Sequence, residues 1–165
     1  MPYIVVDKVN ARVFVFGAHG NLQGSALALL GMAKRDRMPP GIGNQKVLAI
    51  APADRITPAG RFGASPGRTL HGGDILWIDY VTALALHPVV VGTKLERRAQ
   101  RLASAKSDDH RISYGCINVP SAFYGSVVKP VFANRNGIVY ILPEQSSVRD
   151  MFVTRVGDGV GDEAR

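Results

Sequence analysis

Cys116 is the only cysteine in this 165-residue chain, and it follows a glycine in the segment Arg111-Ile-Ser-Tyr-Gly-Cys-Ile-Asn-Val119. A lone thiol cannot form a disulfide within its own chain, so it is either a nucleophile or a small buried hydrophobe. Gly115 favours the nucleophile, because a residue without a side chain lets a substrate carbonyl approach the sulfur. The main-chain N–H groups of Tyr114, Gly115 and Cys116 are then expected to point at the oxyanion that develops.

A thiol nucleophile needs a base, and a neutral imidazole is the side chain best matched to that task. Among the four histidines, His87 differs from the others because it lies in the apolar segment 83–91, which predicts a buried central strand. On this position alone, a core histidine bonded to a backbone carbonyl is favoured over a catalytic base. His110 is a rival base, six residues before Cys116 in a polar run that we expect to be exposed. The other two, predicted to be solvated in loops, are His19 and His71.

The hydrophobic pattern predicts a mainly β domain, a β-sandwich with two short helices. We expect short strands at 3–9, 12–16, 22–30, from Arg61 onward, and at 74–80, 83–91 and 138–142. The helices are predicted at 94–103 and after Pro120, where Ser121 is the expected cap. We expect a single folded domain over residues 1–143 and a C-terminal tail over 144–165. That tail is rich in Gly, Asp and Ser and is predicted to be partly disordered, particularly after Val156.

The composition, 46% hydrophobic and 20% charged, is ordinary for a globular protein. The net charge of +7 attracts polyanions, but no zinc-finger, helix-turn-helix or RNA-binding aromatic pattern accompanies the basic residues, so we expect no nucleic-acid partner. The apolar segment 81–91 is too short to span a membrane. Residues 1–10 predict a strand and not a signal peptide. One cysteine predicts no zinc site, and we expect no metal or cofactor.

The segment Ile112-Ser-Tyr-Gly-Cys-Ile-Asn118 resembles the signature of the YkuD-type L,D-transpeptidases. In that family, Ser or Thr and usually His precede Gly-Cys, a hydrophobic residue, and Asn or Arg. The segment Thr57-Pro-Ala-Gly-Arg-Phe62 is similar to the family's Thr-Pro-x-Gly-x-Phe turn and strand. The resemblance covers roughly residues 3–143, and it implies the family's β-sandwich of mixed sheets.

The resemblance also implies roles. Cys116 would be the nucleophile and His87 its base, with Ser113 and Gly115 shaping the turn. Tyr114 departs from the family, because it stands where a second histidine is usual. Residues assigned to substrate binding or to bracing the loop are Asn118, Arg111 and His110.

The spacing departs from the family as well. Cys116 is 29 residues after His87, whereas the family usually has about fourteen to seventeen intervening positions. We interpret the predicted helix 94–103 and its flanks as an insertion over the site. This longer gap keeps His110 as an alternative base.

The function implied is an acyltransferase that cleaves peptidoglycan stem peptides through a thioester and transfers the acyl group to an amine, outside the cytoplasmic membrane (periplasmic or exported). Resolution of the thioester by water or by a D-amino acid would make the protein a carboxypeptidase or an exchange enzyme. A non-catalytic cell-wall-binding domain is the third alternative. The sequence does not indicate the acceptor amine or the oligomeric state.

Overall fold

The structure, a computed structural model, describes residues 1–152 and is mainly β. Within those residues, eight strands form a mixed sheet in the order β3-β2-β1-β10-β5-β6-β7-β9, and β4 pairs with β8. The ten strands are β1 (Tyr3–Asp7), β2 (Arg12–Phe16), β3 (Leu22–Leu27), β4 (Leu30–Gly31), β5 (Gly60–Arg68), β6 (Asp74–Asp79), β7 (Leu84–Pro88), β8 (Arg111–Ser113), β9 (Ile117–Val119) and β10 (Gly137–Ile141).

The first hairpin shows why the alternating sequence forms strands. In β1 and β2 every second side chain is buried, with Ile4 and Val6 facing the same core as Val13 and Val15. Successive side chains of a strand point to opposite faces, so this period of two places one apolar face inward. The strands predicted at 3–9 and 12–16 are confirmed and pair as an antiparallel hairpin, and β1 also pairs in parallel with β10.

The two ends of the eight-stranded order approach each other. Just after β3, Leu29 forms an antiparallel bridge with Asn118 of β9. The Leu29 N–H donates to the Asn118 carbonyl at 2.8 Å, and the Asn118 N–H donates back at 2.9 Å. The sheet therefore curls nearly into a barrel. The mainly β class predicted from the sequence is confirmed.

The segment 83–91, predicted as a central strand, was predicted too long and in the wrong place. Strand β7 ends at Pro88 and is next to last in the sheet, between β6 and β9. Val90 and Val91 beyond it are 52% and 92% exposed. His87 therefore lies at the end of a strand near the edge of the sheet, where its ring is only partly buried.

Segment 94–103 is helical, as predicted, but in two pieces. A 3₁₀ turn at Lys94–Glu96 precedes α1 (Arg98–Ala103), and Arg97 between them has a left-handed φ of 48°. Further 3₁₀ turns span Ile42–Asn44, Val47–Ala49, Pro52–Asp54 and Ser107–His110.

The second predicted helix runs from α2 (Ser121–Phe123) through a π-helical turn (Tyr124–Val128) into α3 (Lys129–Val131). Its apolar stripe packs on the sheet core, where each fully buried aliphatic side chain contributes about 1.5–3 kcal/mol. The prediction of Ser121 as the cap is wrong. Pro120 occupies the N-cap position, and no side chain there accepts a hydrogen bond.

Residues 144–152 of the predicted tail pack on the domain. The Asp36 carboxylate accepts hydrogen bonds from the N–H groups of residues 144, 145 and 146 at 2.7–2.9 Å. A further short helix, α4 (Val148–Phe152), places the Phe152 ring 6.0 Å from that of Tyr140. The predicted disorder after Val156 lies outside the described residues. None of the helices within residues 1–152 is long and apolar enough to cross a bilayer.

Candidate active site

Two neighbouring parallel strands bring the predicted nucleophile and the preferred base to one face of the sheet. In the register of β7 and β9, His87 lies opposite Asn118, and Leu86 lies opposite Ile117. Cys116 immediately precedes β9 and is two residues before Asn118, so their side chains share a face. Cys116 is therefore diagonal to His87 across the strand pair.

The hydrogen bonds of His87 define its tautomer. Nδ1 lies 2.8 Å from the carbonyl oxygen of Pro88, and because a carbonyl only accepts, Nδ1 carries the proton. Nε2 therefore has the free lone pair, which accepts the Asn118 amide at 3.3 Å. Burial lowers the pKa of His87, and the positive charge of Arg98 adds to this, against the opposing effect of the Pro88 bond. The ring is thus neutral and basic at neutral pH.

The thiol of Cys116 is held by the other end of β7. Its Sγ donates to the carbonyl oxygen of Ala83 at 3.5 Å. Burial raises the pKa of the thiol, against a smaller lowering by the Ala85 N–H. The resting sulfur is therefore protonated, and a base must remove its proton. Among the described residues Sγ and the His87 ring make no hydrogen bond to each other; each is held by its own neighbours.

The turn before the thiol requires glycine. Gly115 has φ 138°, a conformation that other residues rarely adopt. A Cβ there would lie 2.7 Å from the carbonyl oxygen of Ile56. The Thr57 hydroxyl, which is buried, donates to the Gly115 carbonyl at 2.7 Å and accepts the Gly31 N–H at 2.8 Å. Segment 55–57 is thereby fixed along the turn.

Ser113 ties the same turn together from within. Its hydroxyl donates to the Cys116 carbonyl at 2.6 Å and accepts the Gly115 N–H at 3.1 Å. The prediction that the Gly115 N–H faces an oxyanion is wrong, because this N–H already donates to Ser113. The N–H groups of Tyr114 and Cys116 are the remaining donors of that expected group.

Asn118 connects the base to the inserted segment. Its side chain is buried, and its Oδ1 accepts a hydrogen bond from Arg98 Nη1 at 2.9 Å. This contact orients the amide so that Nδ2 faces His87 Nε2 and, at 3.4 Å, the carbonyl of Cys116. Arg98 is in turn paired with Glu96 at 2.9 Å. The segment predicted to be an insertion over the site thus contacts it through one arginine.

Two of the predicted substrate-binding residues face the interior. His110 is 1% exposed, and its two ring nitrogens lie 3.0 and 2.9 Å from the carbonyls of Ala28 and Ser104. The expectation that it is exposed is wrong, and it has no nitrogen free to act as the rival base. Arg111 is 8% exposed and forms a two-point ion pair with Glu144. The polar composition of segment 107–110 predicted exposure. The burial of His110 and Arg111 could not be read from the sequence, because most of the groups that bind them are distant along the chain.

The structure adds residues that the sequence reasoning missed as site residues. Arg98 belongs to the helix predicted over 94–103, and Thr57 begins the turn motif Thr57–Phe62, but the sequence predicts a site role for neither. Arg55 stacks on the Tyr114 ring, with its guanidinium carbon 4.0 Å from the ring centroid. No sequence signal marks Arg55 or Arg98, whereas the buried hydroxyl of Thr57 could have been suspected from its place in the motif.

A separate cavity of about 460 Å³ lies between β5, β6 and the helical segment 121–131. Its lining includes Tyr124, whose pKa is raised to about 12 by burial and by the negative charge of Asp74. It holds none of the predicted site residues, so size alone does not identify it as the reaction site. Within residues 1–152, no cluster of three or more His, Cys, Asp or Glu side chains could hold a metal ion.

No protein-family model matches this chain, and no curated protein matches it either.

Proposed function

We propose that this protein is a cysteine-dependent acyltransferase of the L,D-transpeptidase class, acting on peptidoglycan stem peptides outside the cytoplasmic membrane. One observation carries the acyl-transfer chemistry. His87 is held as the Nδ1–H tautomer by the Pro88 carbonyl, and its basic Nε2 belongs to the face of β7 and β9 that also presents Cys116. A nucleophile, a base and a group that orients the base are the three parts that such a reaction needs.

The reaction begins from a neutral pair. The thiol turns from the Ala83 carbonyl towards His87 Nε2, which gives up the Asn118 amide and takes the proton, and the sulfur attacks the substrate amide carbonyl. The N–H groups of Tyr114 and Cys116 donate to the oxyanion. The imidazolium, stabilised by the Pro88 carbonyl, then gives its proton to the leaving amine, and a thioester remains on Cys116. An acceptor amine attacks the thioester and loses a proton to Nε2. The sulfur leaves as a thiolate, and the imidazolium returns that proton to it, which regenerates the neutral pair.

The substrate class comes from the resemblance of Thr57–Phe62 and Ile112–Asn118 to the YkuD-type enzymes, together with the sandwich fold that the resemblance implies. The net charge of +7 is compatible with an anionic wall polymer. The thioester itself does not select its acceptor. Water as acceptor makes the protein a carboxypeptidase, and a D-amino acid makes it an exchange enzyme.

The test is intact-mass analysis of the protein incubated with a tetrapeptide muropeptide, with and without an added amine. We expect an acyl adduct on the wild type and none on Cys116→Ala. His87→Gln should slow acylation by about 10²–10⁴-fold. The matched control is His71→Gln, because His71 is an exposed histidine outside the site, and we expect it to acylate at the wild-type rate.

The products separate the alternatives. A cross-linked product that depends on the amine supports transpeptidation, whereas a shortened peptide alone indicates a carboxypeptidase. A wild type that forms no adduct and no product, yet sediments with peptidoglycan, indicates the non-catalytic binding domain. That last result refutes the proposal.

A further inference from the structure

Arg55 and Tyr114 form a stacked pair beside the thiol turn. The Arg55 guanidinium carbon lies 4.0 Å from the centre of the Tyr114 ring, and Tyr114 is two residues before Cys116. The segment that follows Arg55 runs against the same turn, since the Thr57 hydroxyl bonds the Gly115 carbonyl at 2.7 Å. Both stacked side chains are partly exposed. The pair therefore lies on the turn that carries Cys116 and is partly exposed to solvent.

The guanidinium of Arg55 is oriented by two contacts that leave its outer edge free of protein acceptors. The ring of Tyr114 fixes the plane, and Nε donates to the carbonyl of Ile50 at 2.9 Å. Within residues 1–152, no carboxylate pairs with Arg55, although Asp54 is its neighbour in sequence. The two terminal nitrogens make no hydrogen bond to those residues, so they remain as a planar fork.

A planar fork matches a carboxylate, because two parallel N–H groups can donate to its two oxygens. Fixing the fork before binding also reduces the entropy that binding must overcome. A stem peptide that ends in the residue to be released has its terminal carboxylate one residue beyond the scissile carbonyl, about 3.8 Å along the chain. A subsite for that carboxylate must therefore lie close to Cys116, and Tyr114 is two residues from Cys116 in the same turn.

We infer that Arg55, stacked on Tyr114, is a specificity residue that binds the terminal carboxylate of the acyl donor. This inference rests on the proposed function. The subsite selects donors that end in a free carboxylate at the residue to be released. Tyr114, the residue that departs from the family's usual histidine, serves as the platform that holds the guanidinium in place.

The test compares one tetrapeptide donor ending in a free carboxylate with the same peptide ending in a carboxamide. Binding is measured by NMR titration of Cys116→Ala, so it requires no turnover. We expect the carboxylate to bind about tenfold more tightly or better, as expected for a charged hydrogen-bonded pair. Arg55→Gln in the same background should equalise the two peptides. Arg55→Lys should restore only part of the preference, because an ammonium lacks the fork.

Two further variants separate the subsite from general effects of charge. Arg135→Gln removes the same charge from an exposed turn before β10, and we expect it to keep the full preference. Tyr114→Phe keeps the stacking ring and should also keep it, whereas Tyr114→Leu should reduce it. Equal affinities for the two peptides, a preference that survives Arg55→Gln, or no binding of either peptide would each overturn the inference.

The outcomes also distinguish this inference from the proposed function. Carboxylate-selective binding that depends on Arg55, without acylation of the wild type, supports the subsite and refutes the transferase. Acylation of the wild type by both peptides at equal kcat/KM supports the transferase and refutes the subsite.

Discussion

Two regions of this protein bury polar groups, and they do so in opposite ways. The first is the ionic cluster of Lys8, Asp36, Arg111 and Glu144, whose side chains are no more than 8% exposed. Lys8 Nζ uses three donors, at 2.8–3.0 Å. The second is the candidate active site, where the contacts of His87 Nε2 and Cys116 Sγ are longer, at 3.3 and 3.5 Å.

The short contacts of the ionic cluster stabilise the fold, whereas the longer contacts of the candidate site leave its groups able to react. Although burial on its own raises the pKa of Asp36, the hydrogen bonds from Lys8 and from three main-chain N–H groups hold it well below its usual range. A group bound so completely cannot exchange its partners. The Cys116 thiol and His87 Nε2, whose contacts are longer, can exchange these partners for each other. Thr57 joins the two regions, because its carbonyl accepts from Lys8 and its hydroxyl donates to Gly115.

The largest effect on stability is expected for Asp36→Asn. It leaves the buried Lys8 charge without its closest partner and should lower the free energy of unfolding by about 3–5 kcal/mol. The folded-state pKa of Asp36 is depressed, so this contribution is present above the unfolded pKa of about 4 and is lost as pH falls towards the folded value. Urea unfolding of both proteins between pH 7 and pH 3 measures this difference.

The control for that comparison is Asp108→Asn, because Asp108 pairs with Lys34 in an exposed ion pair. We expect no measurable change in unfolding free energy from it. If Asp36→Asn were equally silent, or if its effect persisted undiminished at acid pH, the ionic cluster would not have the stabilising role assigned to it.

A smaller effect, this time on activity, is expected for Arg98→Met. The Asn118 amide loses the contact that orients it, so kcat/KM should fall by about tenfold to a hundredfold, as for a misplaced catalytic group. Arg98 also helps to lower the pKa of His87. Its removal should therefore move the acid limb of the pH–rate profile to higher pH. The profile and urea unfolding are measured together.

Arg97→Met is the matched control, because Arg97 is the exposed neighbour of Arg98. We expect wild-type kcat/KM and an unshifted profile. A loss of activity in Arg98→Met that tracked only a loss of folded protein would make Arg98 a structural residue and not a positioning one.

The smallest expected effects are shifts in the titration midpoints of Cys116 and His87 in the wild-type protein. Since burial raises the pKa of Cys116, iodoacetamide alkylation should reach half its maximal rate at a higher pH than free cysteine does. Since burial lowers the pKa of His87, the acid limb of kcat/KM should lie below the usual histidine value of about 6.5. A thiol that alkylates rapidly at pH 6 would contradict the neutral resting pair.

Local sequence patterns predicted the strands and helices better than they predicted where each element lies in the fold. The alternation in 3–16 gives the first hairpin, and the helical period of 94–103 gives helical structure there, because both depend on neighbours in sequence. Strand 83–91 was predicted as central because its composition is apolar. Composition does not fix the order of strands in a sheet, and that order places His87 near the edge.

The sequence by itself determined that one cysteine follows a glycine, that few histidines could serve it, and that the chain is mainly β. Spacing and residue type decide those points. Only the tertiary structure distinguished the surroundings of His87 from those of His110, because the parallel pairing of β7 with β9 brings one ring to the face of the sulfur, and the other ring is buried between carbonyls. It also brought Arg55 and Arg98 to the site. Their partners are 59 and 20 residues away along the chain, and contacts at such separations leave no periodic signal.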